Sequence, residues 1–418
     1  MYGKYGTTAM NYDVIVIGAG ASGIMAAITA AKEGASVLLL EHKDSIGKKI
    51  LATGNGRCNF TNEDMSLVHF RGDKHLIESV LPQFDERRTL AFFHEIGILP
   101  RCKNGYYYPN SEQAASVLSA LTRELQRLSV TVIASVELLG VQKQKKSFIV
   151  RMSGQTHQAK SIIWATGLLA SPKLGSDGSS IPILKQLGHR FRPIVPALCA
   201  FYAQGTDFRR ISGVRVQAAL QLEIDQKIVA SDTGELQLTD YGVSGIPVFQ
   251  ISRYASYGLY NRQSVTLHIN FMPDFDRQQL VEELNARIAH FAKNATVAGV
   301  CNGLFPQKLV SAISSRCALV EDFVLEADDS ANILKLADTI TDFTVTLTRP
   351  RDYDFAQVCA GGITSEEVEP DTLQSKIVDH LFFAGEILDV DGICGGYNLQ
   401  WAWSSGYTAG IHAARRGQ

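Results

Sequence analysis

The stretch Asp13–Glu41 limits what this chain can fold into more than any other. DVIVI (Asp13–Ile17) is a short, β-branched apolar run of the kind that forms a buried strand. GAGASG follows directly, so that Gly18, Gly20 and Gly23 fit G-x-G-x-x-G, and IMAAITAAKEGA continues with helical composition. SVLLLE then supplies a second strand ending in Glu41, 18 residues beyond Gly23. Strand, glycine turn, helix and strand with a terminal acid make up the unit that binds a dinucleotide. Gly18 permits the tight turn, Gly20 lets backbone approach a pyrophosphate, and Gly23 lets helix and strand pack closely. Ala21 and Ser22 open the helix, whose free N–H groups and positive dipole end face the phosphates. Glu41 is placed to accept hydrogen bonds from an adenosine ribose.

Length and charge narrow the function classes. A chain of 418 residues is expected to form two or three units with an ample core. The net charge is −2 and no basic run interleaves with aromatics, which disfavours nucleic acid as a partner. The apolar runs fall short of the roughly 20 residues that a membrane span needs. The first ten residues, MYGKYGTTAM, lack the apolar core of a signal peptide, and Met10 is a candidate natural start. Seven cysteines without C-x-x-C or His/Cys metal spacing suggest reduced thiols in a cytoplasmic protein, with no metal site.

Further along, Thr53–Asn59 (TGNGRCN) is dense in glycine and hydrogen-bonding side chains. Such a loop turns N–H groups toward an anion or a flat heterocycle. Arg57 either pairs with a phosphate or reduced ring there, or is a solvated surface arginine. HLIESVLPQFDERRTLAFFHEIGI is expected to be helical up to Gly97, NGYYYPNSE a turn-rich loop with Tyr106, Tyr107 and Tyr108, and QAASVLSALTRELQRL an amphipathic helix with Val117, Leu118, Leu121 and Leu125 on one side. Strands return with VTVIASVELLGVQ, SFIVRM and AKSIIWATG. The last runs into Ala165, Thr166 and Gly167, a second point of contact with the same nucleotide. From about Phe191 the period becomes two, with glycine-rich turns such as Thr239–Gly245, predicting an antiparallel sheet or open barrel. Residues 274–322 then look helical, with Leu280, Leu284, Ile288 and Phe291 on one side.

The C-terminus returns to α/β texture. A strand at Leu381–Ala384 leads into Gly385 and Glu386, then an acid- and glycine-rich turn holding Asp391. A last helix starts near Tyr397 or Asn398, with a small-residue face of Ala402, Ser405, Gly406, Ala409 and Ala413. Gly395 and Gly396 are expected to leave its first N–H groups uncovered. A simple nicotinamide dehydrogenase needs the first motif but not this ending. A dinucleotide with a third ring to anchor does need it, so FAD is the expected cofactor rather than NAD. The Glu386 carboxylate is suited to ribityl hydroxyls, and the helix N-terminus to the negative charge of a reduced flavin.

GAGASG, ILATGNGRCNFTN, YYPNSEQAASV, TDYGVSG, CAGGI and GEILDVDGICGGYNLQWAWSSG together resemble the bacterial YhiN-like flavoproteins, a group including BaiN and aminoacetone-oxidase-like enzymes. The resemblance runs nearly end to end. It implies an α/β, Rossmann-like FAD domain of glutathione-reductase type, discontinuous over 11–190 and 349–418. An inserted β-rich substrate domain would occupy 191–273 and 323–348, and a small helical subdomain 274–322. It also implies that Gly54, Asn55, Gly56, Arg57 and Asn59 line the flavin, together with Gly396, Tyr397, Asn398 and Leu399. Lys49, Thr53, Val136, Gly385 and Asp391 complete the expected cofactor set. The chain departs from the family where Leu168 follows Gly167 in place of a second glycine, and where Tyr108 stands at a common Phe position.

The expected activity is that of an FAD-dependent oxidoreductase moving a hydride between a small organic substrate and flavin, with NADH or NADPH as transient electron donor. An O2-using amine or aminoketone oxidase, a thiol–disulfide oxidoreductase built on Cys58 and Cys394, and a non-catalytic flavin redox sensor are the alternatives. No catalytic acid or base stands out. His157, His189 and His268 lie in ordinary strand or loop contexts, and the motifs do not give oligomeric state.

Overall fold

A computed structural model describes residues 11–417, so the candidate start at Met10 lies outside the described residues. By compactness the chain divides into two units: residues up to Ile194 together with Val358 onward, and an insertion, Val195–Gln357.

Five parallel strands form the centre of the first unit: β1 (Asn11–Ile17), β2 (Val37–Leu40), β3 (Thr131–Ile133), β4 (Gln155–Trp164) and β5 (Leu381–Phe383), in the order β3-β2-β1-β4-β5. The continuous apolar runs read from the sequence are what such strands require, since both faces are covered; Val14, Ile15, Val16, Leu38 and Leu39 are fully buried. Helix α1 (Ala21–Lys32) makes the crossover between β1 and β2. The long β4 divides its free edge. Its first half pairs antiparallel with Phe148–Met152, and its last three residues pair parallel with β5. Register brings the carboxyl ends of four strands level. Gly18 N donates to Leu40 O at 2.9 Å, Ala165 N to Ile17 O at 2.8 Å, and Ala384 N to Trp164 O at 3.0 Å.

The C-terminal helix α2 (Tyr397–Gly417) lies against α1 at backbone distance. A Cβ on Gly406 would stand 2.4 Å from Ser22 O, and one on Gly410 2.7 Å from Ala26 O. The small-residue face read from the sequence therefore lets two buried helices meet without side chains between them. Ala409, Ser405 and Ala413 are fully buried on it.

Several local expectations change. The run expected as one helix to Gly97 is two, Lys74–Val80 and Glu86–Glu95. Pro82 interrupts it, and the Asp85 side chain caps the second by accepting from Arg88 N at 2.8 Å. The tyrosine loop is a strand, Tyr106–Pro109, central in a three-stranded sheet with Thr61–Asn62 and Pro100–Lys103. Its alternation was too short to separate from a turn.

The insertion contains a closed barrel rather than an open one, built from Phe201–Gln204, Gly242–Ser244, Lys227–Leu238, Arg215–Ile224, Val265–Asn270 and Phe343–Pro350. Phe343–Pro350 closes it by pairing with both Val265–Asn270 and Phe201–Gln204, a long-range match that periodicity cannot show. A helix at Ile246–Tyr260, within what read as strand texture, starts with Pro247 in its first turn and lies on Lys227–Leu238. Leu280, Leu284 and Ile288 are buried on the helix Arg277–Phe291, but Phe291 is 37% exposed although it shares their face, since the helix ends at that residue. Ser330–Thr341 is a further helix in a stretch read as strand. No helix among the described residues is long and apolar enough to cross a membrane.

Candidate functional site

The level strand ends of the first unit gather most of the residues singled out in the sequence. At β1 the three glycines have three different surroundings. Gly18, at φ +100°, would place a Cβ 2.6 Å from Ala165 O, and Gly23 would place one 1.8 Å from Gly18 O. Both positions are filled by backbone. Gly20 is the opposite case, since a Cβ there would meet nothing within 4 Å. Gly20 is also the N-cap of α1 and no side chain caps that end, which leaves the first-turn N–H groups of Ala21 and Ser22 facing the open space.

Glu41 ends β2 beside this turn and is 9% exposed. Its carboxylate accepts from Ala19 N at 2.9 Å and from Lys43 N at 2.8 Å, so it fixes the glycine turn. Val136 follows β3 and donates its N–H to Glu41 O at 2.9 Å. On the other side Thr166 Oγ1 shares a hydrogen bond of 2.8 Å with Ser180 Oγ, and Gly167, at φ +67°, has Ser176 Oγ 2.8 Å from its Cβ position. Leu168, the departure from the family pattern, is fully buried.

Past β5, Gly385 lies so close to α1 that a Cβ would be 2.3 Å from Ser22 Oγ; its N–H donates to Ser405 Oγ at 2.8 Å. Glu386 meets Lys49 there. Lys49 Nζ donates to Glu386 Oε2 at 2.8 Å, and Cys359 N donates to Oε1 at 2.7 Å. The sequence offered no reason to pair Lys49 with Glu386, and it left CAGGI, which begins at Cys359, without a role. The loop Thr53–Asn59 is a short helical turn with left-handed Gly54, Asn55 and Gly56. Thr53 Oγ1 donates to Ile50 O at 2.6 Å. Arg57 is neither simply solvated nor free to roam. Its Nε donates to Gly54 O at 3.3 Å, and its guanidinium carbon lies 5.3 Å from the centre of the Tyr108 ring.

The start of α2 differs in detail from expectation. Gly396 approaches backbone, with its Cβ position 2.7 Å from Thr61 O and 2.9 Å from Asn59 Oδ1, and Gly395 abuts Tyr106. The side chain of Asn398 clamps the preceding turn, accepting from Gly392 N at 2.8 Å and donating to Gly392 O at 2.7 Å. Leu399 packs on the core. Tyr397 is buried under His69, with ring centres 4.8 Å apart, and burial beside the Asp64 carboxylate pushes its phenol up to about 12. Asp391 is buried in Val390–Gly392, paired opposite Arg71 in an antiparallel bridge. Asn59 Oδ1 is buried without a hydrogen-bond partner among the described residues, beside Gly396. An open Gly20, an uncapped helix end and an orphaned amide oxygen along one run of strand ends fit a dinucleotide with a third ring.

The thiols do not fit a redox pair. No disulfide joins two cysteines among the described residues, and burial pushes the fully buried Cys58 up to about 12, which suppresses the reactive thiolate. The three histidines singled out in the sequence each have partners within the fold. His268 bonds Asp342 at 2.7 Å, and His157 packs edge-on to Tyr12. Buried His189 sits between Glu367 at 3.2 Å and Ser375 at 3.1 Å. Burial lowers the His189 pKa from 6.5 although Glu367 opposes the shift. Below the ordinary value the unfolded chain then binds a proton that folded His189 resists, so this residue's share of stability falls as pH drops through 6.5. Melting at pH 7.5 and 5.5 is expected to show a larger loss in the native chain than in His189→Gln. No group of three or more His, Cys, Asp or Glu among the described residues is arranged to hold a metal ion.

Known proteins share this chain's sequence pattern and fold. A family model described as HI0933-like protein Rossmann domain matches residues 12–412. A 3-dehydro-bile acid delta(4,6)-reductase of Clostridium scindens is 42% identical over 404 residues, 96% of this chain and 98% of that one. A ribosomal RNA dihydrouridine synthase of Haemophilus influenzae is 29% identical over 409 residues, again 96% and 98%. Among solved structures, a quinol–fumarate reductase with menaquinol superposes with a TM-score of 0.51 at 12% identity, covering 98% of this chain and 72% of that one, a likeness of fold.

Proposed function

The chain belongs to the HI0933-like flavoprotein family, and we propose that it is an FAD-dependent oxidoreductase that reduces a small organic molecule with electrons from NADH or NADPH. The observation that carries this reading is the line of strand ends from Glu41 through Gly20 to Glu386 and the start of α2. Ala21 and Ser22 at the head of α1 would hold the pyrophosphate, and Glu41 the adenosine ribose. Lys49 and the Cys359 N–H orient Glu386 toward the ribityl chain, while Gly54–Asn59 and the start of α2 would line the ring system. Bound FAD supplies the hydride chemistry. The protein's part is orientation and a fixed electrostatic surrounding, which suffices for hydride transfer without a named acid or base.

Identity of 42% over nearly the whole length to a protein named as a reductase supports reduction over oxidation. The net charge of −2 and the absence of a basic run in the sequence favour a small substrate over RNA. The test is anaerobic: NADH and then NADPH are added to purified protein while flavin absorbance is followed, and air is admitted afterwards. Rapid bleaching by a nicotinamide is expected. Reduction only by an amine or ketone, with fast reoxidation in air, would establish an oxidase instead, and a protein unable to bind FAD would overturn the reading entirely.

Glu41 gives a sharper check on the adenosine end. Glu41→Gln removes the charge and turns an NH2 toward one of two N–H groups it now accepts from. Hydrogen bonds to a charged group contribute about 1.5–3 kcal/mol, so FAD affinity is expected to fall at least about tenfold on titration into apoprotein.

A further inference from the structure

The inserted unit carries a cation–aromatic cluster that the flavin site does not use. Arg349, the penultimate residue of the barrel strand Phe343–Pro350, pairs in register with Tyr202, whose other neighbour is Gly242. Tyr241 thereby arrives next to Tyr202, with ring centres 5.1 Å apart. Pro350 ends the strand, and Arg351 N donates to Ala200 O at 2.8 Å, which fixes the following turn. The Arg351 guanidinium carbon then lies 3.8 Å from the centre of the Phe355 ring and 4.5 Å from that of Tyr241. Arg349 lies 3.6 Å over Tyr202.

These two arginines are not equivalent. Arg349 has a carboxylate, Asp352, at 3.5 Å. The Arg351 side chain makes no hydrogen bond or ion pair with any described residue, although it is only partly exposed. Aromatic rings contact a guanidinium through its flat faces and leave the N–H edge, whose donors lie in the plane, open. Stacking therefore holds the partly exposed side chain in place beforehand and presents a bidentate fork with no anion in it. That fork matches a carboxylate, and the surrounding rings match an apolar, ring-bearing body. A nucleic acid would need a groove of several cations tracking its backbone. Here one unpaired guanidinium stands beside an arginine that already has an aspartate.

We propose that Arg351, stacked with Tyr241 and Phe355, binds the carboxylate of a small, ring-bearing substrate. The assignment rests on the reading of the chain as a small-molecule oxidoreductase, which it extends to a class of substrate. Calorimetric titration of the flavin-loaded full chain tests it, with cholate against methyl cholate and benzoate against methyl benzoate. At least one acid is expected to bind roughly tenfold tighter than its ester, as a charge-assisted pair implies. Arg351→Gln should erase that preference, and Arg351→Lys should restore part of it, with melting temperature and flavin content unchanged in both. Equal binding of acids and esters by the native chain, binding of neither acid, or an undiminished preference in Arg351→Gln would overturn the proposal. So would oligouridylate binding that Arg351→Gln abolishes, which would assign the cluster to RNA. The titration does not depend on turnover. Acid preference without nicotinamide-driven flavin reduction would sink the functional reading alone, and flavin reduction without acid preference would sink this one alone.

Discussion

Gly23→Val protein is expected to lose its flavin and part of its stability together, whereas Gly20→Ala is expected to lose only flavin. The contrast follows from what surrounds each residue. At Gly23 the first added carbon would lie 1.8 Å from Gly18 O, and that carbonyl belongs to the turn itself. Neither atom is at the end of a flexible side chain, so the turn must open and carry the head of α1 with it. Overpacking of this kind costs about 1–3 kcal/mol, visible as a lower melting temperature of the apoprotein. At Gly20 the backbone is at φ −79°, which alanine adopts freely, and the protein places nothing within 4 Å of a new Cβ. The apoprotein should therefore melt as the native chain does. The methyl group would occupy the open space before the α1 N–H groups and hold a pyrophosphate away from them. Loss of one such charge-assisted bond is about 1.5–3 kcal/mol, a drop in FAD affinity of roughly tenfold to a hundredfold. Flavin retention and apoprotein melting, measured on both variants, check the pair. Full flavin content in Gly20→Ala would mean that the open space is not where the phosphates lie.

The second large effect is expected at Gly406→Leu, far from Gly20 in sequence. Its Cβ would stand 2.4 Å from Ser22 O and 3.0 Å from Met25 Cβ, so α1 and α2 must separate. Both helices are deeply buried where they meet, and destabilisation of about 3 kcal/mol is expected in the apoprotein. Ser22 also sits in the first turn of α1, and its hydroxyl reaches Ala384 O at 3.4 Å. Moving α1 displaces the helix end proposed to hold the pyrophosphate, so flavin retention should fall as well. Thermal unfolding with and without added FAD separates the two losses. A melting temperature unchanged in both states would show that the helices are not held at the distance described.

Some of this was open to reading in the chain and some was not, for reasons that differ by residue. Gly18, Gly20, Gly23 and Glu41 lie within one strand–helix–strand unit, where spacing alone decides geometry. The burial of β1 and β2 followed from continuous apolar runs, and the small-residue face of α2 from helical period. The tyrosine strand Tyr106–Pro109 is not legible locally, because four residues are too few to show alternation and its partners lie elsewhere in the chain. The helix Ile246–Tyr260 is likewise hidden, because GIPVFQIS has equal claims as strand or helix until it meets the barrel.

Consecutive residues were enough to identify a dinucleotide-type turn at Gly18–Gly23, a flavin-type segment around Gly385–Leu399, and the local units that carry each. Those are properties of consecutive residues, set by backbone sterics, helix ends and hydrophobic period. Long-range packing, by contrast, brings Lys49 and Cys359 together on Glu386, stacks Arg57 on Tyr108, closes the barrel, and leaves Arg351 with rings and no anion. Each of these joins residues far apart in the chain or depends on strand register. Register is fixed by the summed burial and hydrogen bonding of the whole fold, which no local spacing records.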